Sequence, residues 1–293
     1  MMSGVPSLLH TEEQAKQIAE SFLEFAQLPD EKALRNAPEL TLGLLQKEFT
    51  GYIGLSAATF SPSVDGTLVR RPPIRAALEG KTQGVPMLIG TTREEMSIMF
   101  NKLLSHIIDI QVLKEKGVQA EMDEVKRRIE SAYERYGKRN QAIMVSDYVF
   151  RMPCVWFAEA HSKSADTWMY RFDYESFGMR ISKLHSFHSS DIPFLFGNFK
   201  SGLARYMFAL SPVKTGILKV HHELRNDFLT FIKTGELPWE KCEGENTPAK
   251  CFALPPIIEQ AVPPDVKLAY EGSEFKRRSL AGESNNLATT PQD

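Results

Sequence analysis

Two short strand-like runs separated by long helical stretches most narrow what this chain can fold into. Val85-Pro86-Met87-Leu88-Ile89-Gly90, entered through Gln83-Gly84, reads as a short buried strand. Residues 166–174 alternate and are rich in aromatics, which predicts a second strand. Between them, residues 103–137 are dense in charge, with helical spacing around 121–136. A longer helical stretch follows over 142–161, where Pro153 should kink the helix or mark a junction. Further on, Ile217, Val220, Leu224, Phe228 and Phe231 mark an amphipathic helix that Gly235 would stop. Weaker strands are expected near 251–254 and 266–270. Strands alternating with helical stretches of this length imply an α/β protein.

The flanks add local detail. Thr11 with Gln14 forms a capping-box signal, and Ala15, Ile18, Ala19, Phe22, Leu23 and Ala26 repeat at helical spacing behind it. Pro29-Asp30 ends that helix, and shorter helical pieces are expected to about Phe49. Residues 60–73 are rich in turn formers and read as loop, and residues 91–100 as a turn into a helix. From Gly272 the chain is polar, so 272–293 is expected to be a disordered tail behind a folded portion over 1–271.

Charge and composition exclude several classes. A net charge of -2 offers no basic surface for nucleic acid or for a membrane. No apolar run is long enough to cross a bilayer. Residues 1–9 lack a basic segment followed by a long apolar one, so no signal peptide is expected and a cytoplasmic protein is. Cys154, Cys242 and Cys251 are too few for a disulfide scaffold and fit no zinc spacing. Free thiols are expected, although Cys242 and Cys251 could bridge in an oxidising compartment. No dinucleotide or phosphate-loop motif occurs, so no cofactor and no metal is expected.

The chemistry concentrates in residues 184–198, L-H-S-F-H-S-S-D-I-P-F-L-F-G-N. Pro193 disfavours a regular helix or a central strand, so an irregular loop is expected, its apolar part tucked against a core. Such a loop can fix an imidazole while leaving it reachable. His188, three residues before Asp191, is the first candidate. Its plainer reading is a histidine satisfied by a local hydrogen bond, and spacing alone favours that. Glu95, just after the first strand in T-T-R-E-E-M, is the second candidate. Thr92-x-x-Glu95 is itself a capping box, which would account for Glu95 without chemistry. Two decoys can be set aside. Gly54-Leu55-Ser56-Ala57-Ala58 is one residue short of a nucleophile elbow and follows no strand. His221-His222-Glu223 lies on a helix, where adjacent side chains diverge instead of converging on a metal.

Taken together, these segments resemble the type-B carboxylesterases, the α/β-hydrolase family that includes the cholinesterases. His188-Ser189-Ser190-Asp191-Ile192-Pro193-Phe194-Leu195-Phe196-Gly197-Asn198 resembles the catalytic-histidine segment. Residues 85–95 resemble the strand and turn that deliver the acid, with Glu95 at that position. Phe60-Ser61-Pro62-Ser63-Val64-Asp65-Gly66 is similar to the family's F-x-P-x-x-D segment. Residues 147–153, 168–172 and 230–235 match a helix, a strand and a late helix end in the expected order.

The resemblance implies the C-terminal part of an α/β-hydrolase fold, with a mostly parallel central sheet flanked by helices. It also implies acyl transfer from a carboxylic ester through a serine, with His188 as base and Glu95 as its acid. Ser3 then matches a serine near the triad, and Asp191 the acidic residue beside the histidine. The family's G-E-S-A-G elbow and oxyanion-hole glycines are absent, and Met96 stands where the family often has glycine. The chain therefore reads as a carboxyl-terminal half cut just past its nucleophile and inactive alone. A small ester would be its substrate only when an amino-terminal half complements it. An exposed sheet edge would favour self-association. A non-catalytic esterase-like binding module and an inactive truncated product are the alternatives.

Overall fold

Four short strands form the sheet in a computed structural model that describes residues 1–52, 59–100, 121–200, 202–209, 211 and 215–281. They are β1 (Met87–Thr92), β2 (Thr167–Phe172), β3 (Pro248–Phe252) and β4 (Ile257–Gln260), in the order β1-β2-β3-β4. β1 pairs with β2 in parallel, Met87 opposite Thr167 through Thr92 opposite Phe172, and β2 pairs with β3 in parallel. β4 closes the sheet antiparallel to β3. Beyond β1, Met2 makes a parallel bridge to Gly90.

Helices α1 (Glu12–Phe25), α2 (Glu31–Asn36), α3 (Glu39–Tyr52) and α4 (Pro73–Leu78) precede β1. Between β1 and β2 lie α5 (Asp123–Tyr133), α6 (Asn140–Ser146) and α7 (Met152–His161). Between β2 and β3 come α8 (Phe177–Ile181), α9 (Ile192–Phe196), α10 (Gly202–Ala209) and α11 (Thr215–Thr234). Helices α12 (Pro264–Ala269) and α13 (Glu274–Ala281) follow β4.

The strands are apolar on both faces because both faces are covered. Ile89, Met169 and Ala249 face a cluster built with Ile74, Ile129 and Val266. Leu88, Trp168, Tyr170 and Phe172 face the opposite cluster, with Phe194, Ile217 and Leu224. Each such aliphatic or aromatic side chain stabilises the fold by roughly 1.5–3 kcal/mol through burial. Gly90 has no substitute, since a Cβ there would lie 2.3 Å from the Tyr170 carbonyl oxygen. Helices α1–α3 form a separate small cluster around Phe22 and Phe49. The Thr11 capping box forms as expected: Gln14 N–H donates to Thr11 Oγ1 at 3.2 Å, and Thr11 N–H to Gln14 Oε1 at 2.9 Å.

Pro153 marks a junction, the second of its two expected roles, between a π-helical turn and an α-helix. It sits in the first turn of α7, where its missing N–H costs little, behind a π-helical turn at Asp147–Arg151. Several other expectations need correction. Pro193 likewise occupies the first turn of α9, so the expected irregular loop contains a short helix, stopped by left-handed Gly197. The second weak strand, expected near 266–270, is instead mostly helix α12 (Pro264–Ala269), started by Pro263-Pro264 and capped by Tyr270. β4 went unforeseen; Ile257 and Ile258 are exposed on an edge strand and give no alternation. Residues 91–92 complete β1, and the turn after them leads into a 3-10 turn at Ser97–Phe100.

The tail is not disordered from Gly272. Glu274–Ala281 is helical, its first amides donate to the distant Glu121 carboxylate at 2.8 Å, and buried Phe275 stacks on Tyr148. Residues 282–293, the elbow-like 54–58 segment and residues 101–120 lie outside the described residues. Cys154, Cys242 and Cys251 are buried free thiols. Among the described residues, no helix is long and apolar enough to cross a membrane.

Candidate active site

β1 ends at the sheet's carboxyl edge, and the turn after it carries Glu95. The turn is held from both sides: Arg93 N–H donates to the Phe172 carbonyl at 2.9 Å, and Ser97 N–H to the Glu94 carbonyl at 2.9 Å. Arg151 reaches in from the π-helical turn and donates to the carbonyls of Thr92 (3.0 Å) and Arg93 (2.6 Å). Its own charge is met by Asp147. Met96, where the family often has glycine, keeps a negative φ, and its N–H donates to Ser146 Oγ at 2.9 Å.

Glu95 is fully buried, and its carboxylate is fully bonded. Oε1 accepts from the Thr92 N–H at 2.6 Å and from Ser3 Oγ at 2.5 Å. Oε2 accepts from His188 Nδ1 at 2.7 Å. Three donors to one buried carboxylate are the condition under which its charge is tolerated inside a protein. The capping-box reading is thus half realised. Thr92 N–H finds Glu95 as a box would require, but Thr92 Oγ1 has no partner among the described residues and the next helical turn, Ser97–Phe100, is 3-10.

Ser3 arrives beside β1 because Ser3 N–H donates to the Gly90 carbonyl at 2.8 Å and Gly90 N–H to Met1 at 3.1 Å. Two backbone bonds bring the histidine loop alongside the acid turn: Glu94 N–H to the Ser186 carbonyl and His188 N–H to the Glu95 carbonyl, both at 3.0 Å. The loop bends sharply, with Lys183, His185 and Ser189 all at positive φ. The His188 side chain stays half exposed, with the Phe150 ring 5.1 Å from its own.

Glu95 sets the electrostatics. Its hydrogen bond raises the His188 pKa above the ordinary 6.5, against the opposing effect of partial burial. Nδ1 is committed to Glu95, so Nε2 is the nitrogen left to exchange a proton. Asp191 is buried behind the pair. Tyr170 donates its hydroxyl to Oδ2 at 3.1 Å, while Oδ1 has no donor among the described residues. Burial and the nearby Glu95 charge push the Asp191 carboxyl up to about 6. His221 proves structural, its Nδ1 bonded to the Phe194 carbonyl.

Two sets of metal-type donors converge among the described residues, Glu94 with Glu175 and His185, and Asp173 with Cys251 and Glu259. Each already holds a cation. Arg139 pairs with Glu94 and Glu175, and Arg171 with Asp173 and Glu259.

The structure brings together Ser3, Glu95, His188 and Asp191, all four residues singled out in the sequence. It adds Arg151 and Phe150, which sequence reasoning missed. Asp147 and Arg151, one helical turn apart in an apolar stretch, were the available signal for the first. Nothing local marked Phe150.

A para-nitrobenzyl esterase of Bacillus subtilis is 31% identical over 194 residues, covering 65% of this chain and 37% of that protein. Among solved structures, a thermophilic PNB esterase superposes with a TM-score of 0.71 at 26% identity, covering 92% of this chain and 56% of that one. A carboxylesterase of Geobacillus stearothermophilus gives a TM-score of 0.72 at 25% identity, covering 92% and 57%. The sheet is that of an α/β-hydrolase, and the chain spans about half the length of these solved relatives. The carboxylesterase family's sequence profile matches residues 1–248. With that match over most of its length, the chain belongs to the carboxylesterase family.

Proposed function

We propose that this chain supplies the acid and the base of a carboxylic ester hydrolase. Glu95 fixes the His188 tautomer and steadies its charged form, and Nε2 takes a proton from a serine and returns it to the leaving alcohol. The observation that carries this reading is a buried, fully bonded carboxylate 2.7 Å from the Nδ1 of a half-exposed histidine. The sequence holds no G-E-S-A-G elbow, so the nucleophile comes from polypeptide outside it. Alone, the chain retains at most general-base activation of water, worth about 10²–10⁴-fold. Ser3 and Asp191 support the pair, one bonded to the Glu95 carboxylate and the other buried behind it. Among the described residues the outer edge of β1 carries only the bridge to Met2, and a complementing segment would add there. Without that segment the same edge favours self-association.

The test is hydrolysis of a short-chain p-nitrophenyl ester by the purified chain, with and without an upstream polypeptide carrying G-E-S-A-G. Activity that requires the added polypeptide and disappears in His188→Ala supports the proposal. Activity indifferent to His188, or none in any mixture, counts against it.

A further inference from the structure

The two loops that present Glu95 and His188 are also joined by side chains that touch neither residue. We propose that Arg139, Glu94, Glu175 and His185 are positioning residues, a four-member polar latch that holds the histidine loop against the acid turn. The latch rests on the reading of Glu95 and His188 as an acid–base couple and deepens it.

Each member comes from a different part of the chain. Arg139 precedes α6, Glu94 adjoins Glu95, Glu175 follows β2, and His185 lies three residues before His188. Arg139 pairs with the fully buried Glu94 and, at 2.8 Å, with Glu175. Glu175 reaches His185 Nδ1 at 3.2 Å. The cluster therefore runs from the residue beside the acid to the loop that carries the base. Burial alone would raise the Glu175 carboxyl, yet its bond to His185 and the Arg139 charge hold it below the ordinary value.

The histidine loop needs such a hold. Lys183, His185 and Ser189 occupy the left-handed region that non-glycine residues rarely adopt, and strained backbone persists only where its surroundings over-determine it. Among the described residues, the two loops are otherwise tied by two backbone bonds, the His188–Glu95 bond and the Ser97 hydroxyl on the Leu184 carbonyl. Because Glu94 and Glu95 are consecutive, any drift of Glu94 from Ser186 carries Glu95 off His188.

The experiment follows the His188 ring by NMR titration and the His188 and Glu94 amides by hydrogen exchange, in the chain alone. In Arg139→Gln both amides should exchange about tenfold faster, while the Cys251 amide in β3 stays unchanged. The His188 pKa should fall toward 6.5. Arg139→Lys should restore part of both effects, since it keeps the charge but not the fork. Should Arg139→Gln fail to fold with Glu94 left uncompensated, Glu175→Gln and His185→Asn each remove one outer member and should show smaller changes of the same sign. A raised wild-type His188 pKa that survives these changes, with unaltered exchange, overturns the latch alone. A wild-type His188 titrating at its ordinary value overturns the couple and the latch with it.

Discussion

The loops around Glu95 and the helices α1–α3 are stabilised by opposite means. Around Glu95, polar groups from five stretches of the chain meet one another's hydrogen-bonding needs, with Ser3, Thr92, Ser146, Arg151, Tyr170 and His188 each tied to a partner far along the chain. In α1–α3 the signals are local. Thr11 and Asp30 cap their helices, Glu31 and Arg35 pair one turn apart, and among the described residues of the cluster only Phe22 and Phe49 are buried. Beside them a cavity of about 690 Å³ remains, lined by Ile18, Phe22, Leu34, Leu42 and Phe60 among others. The site is specified by long-range consistency, the helices by propensity and caps. The first should be intolerant of truncation and the second forgiving.

The largest expected effect compares two phenylalanines. Phe194 is fully buried and packs on Phe172, Tyr174, Phe199 and Phe208. Phe194→Ala should cost about 4 kcal/mol, because a well-packed site cannot collapse around the void. Phe22→Ala should cost about 2 kcal/mol, since its surroundings already include open space. Urea unfolding of both variants measures the difference, and equal costs would break the comparison.

The next effect sharpens the electrostatic half. The Asp191 pKa rises from 3.8 to about 6 in the folded chain. The folded state therefore holds the proton more tightly, and stability present below pH 3.8 is lost as pH rises through 6. Asp191→Asn keeps an acceptor for Tyr170 and cannot ionise. It should match the wild type near pH 3.5 and exceed it above pH 6, by at most about 3 kcal/mol. Melting temperatures across that range decide it, and a variant less stable at pH 7 would reverse the sign. The smallest effect is at the first cap. Thr11→Ala should cost about 1 kcal/mol, confined to α1, and leave the His188 signals where they were.

Legibility follows the same division. The capping box at Thr11, the amphipathic α11 and its stop at Gly235 were visible because their causes lie within one or two turns of chain. β1 and β2 were visible because both faces are buried, so apolar runs stand out. β4, exposed at an edge, gave no pattern, and α12 was mistaken for a strand because Val266, Leu268 and Tyr270 alternate over too few residues to separate the two periods. Residues 274–281 were read as disordered because what orders them is Glu121, 153 residues away. Glu95 and His188 stand 93 residues apart, and no spacing rule joins them. They were legible only because several segments agreed with one family in order, whereas Arg151 and Phe150 were obscured because their value depends on the partner loop.

The most direct test of the central claim is the titration of His188 in the intact chain and in Glu95→Gln, followed through its ring protons. The account predicts a wild-type pKa above 6.5 that drops in the variant, with the Nδ1 proton held in the wild type and exchanging freely without the carboxylate. A wild-type His188 titrating at its ordinary value and indifferent to Glu95→Gln would contradict the acid–histidine couple, and with it the hydrolase reading.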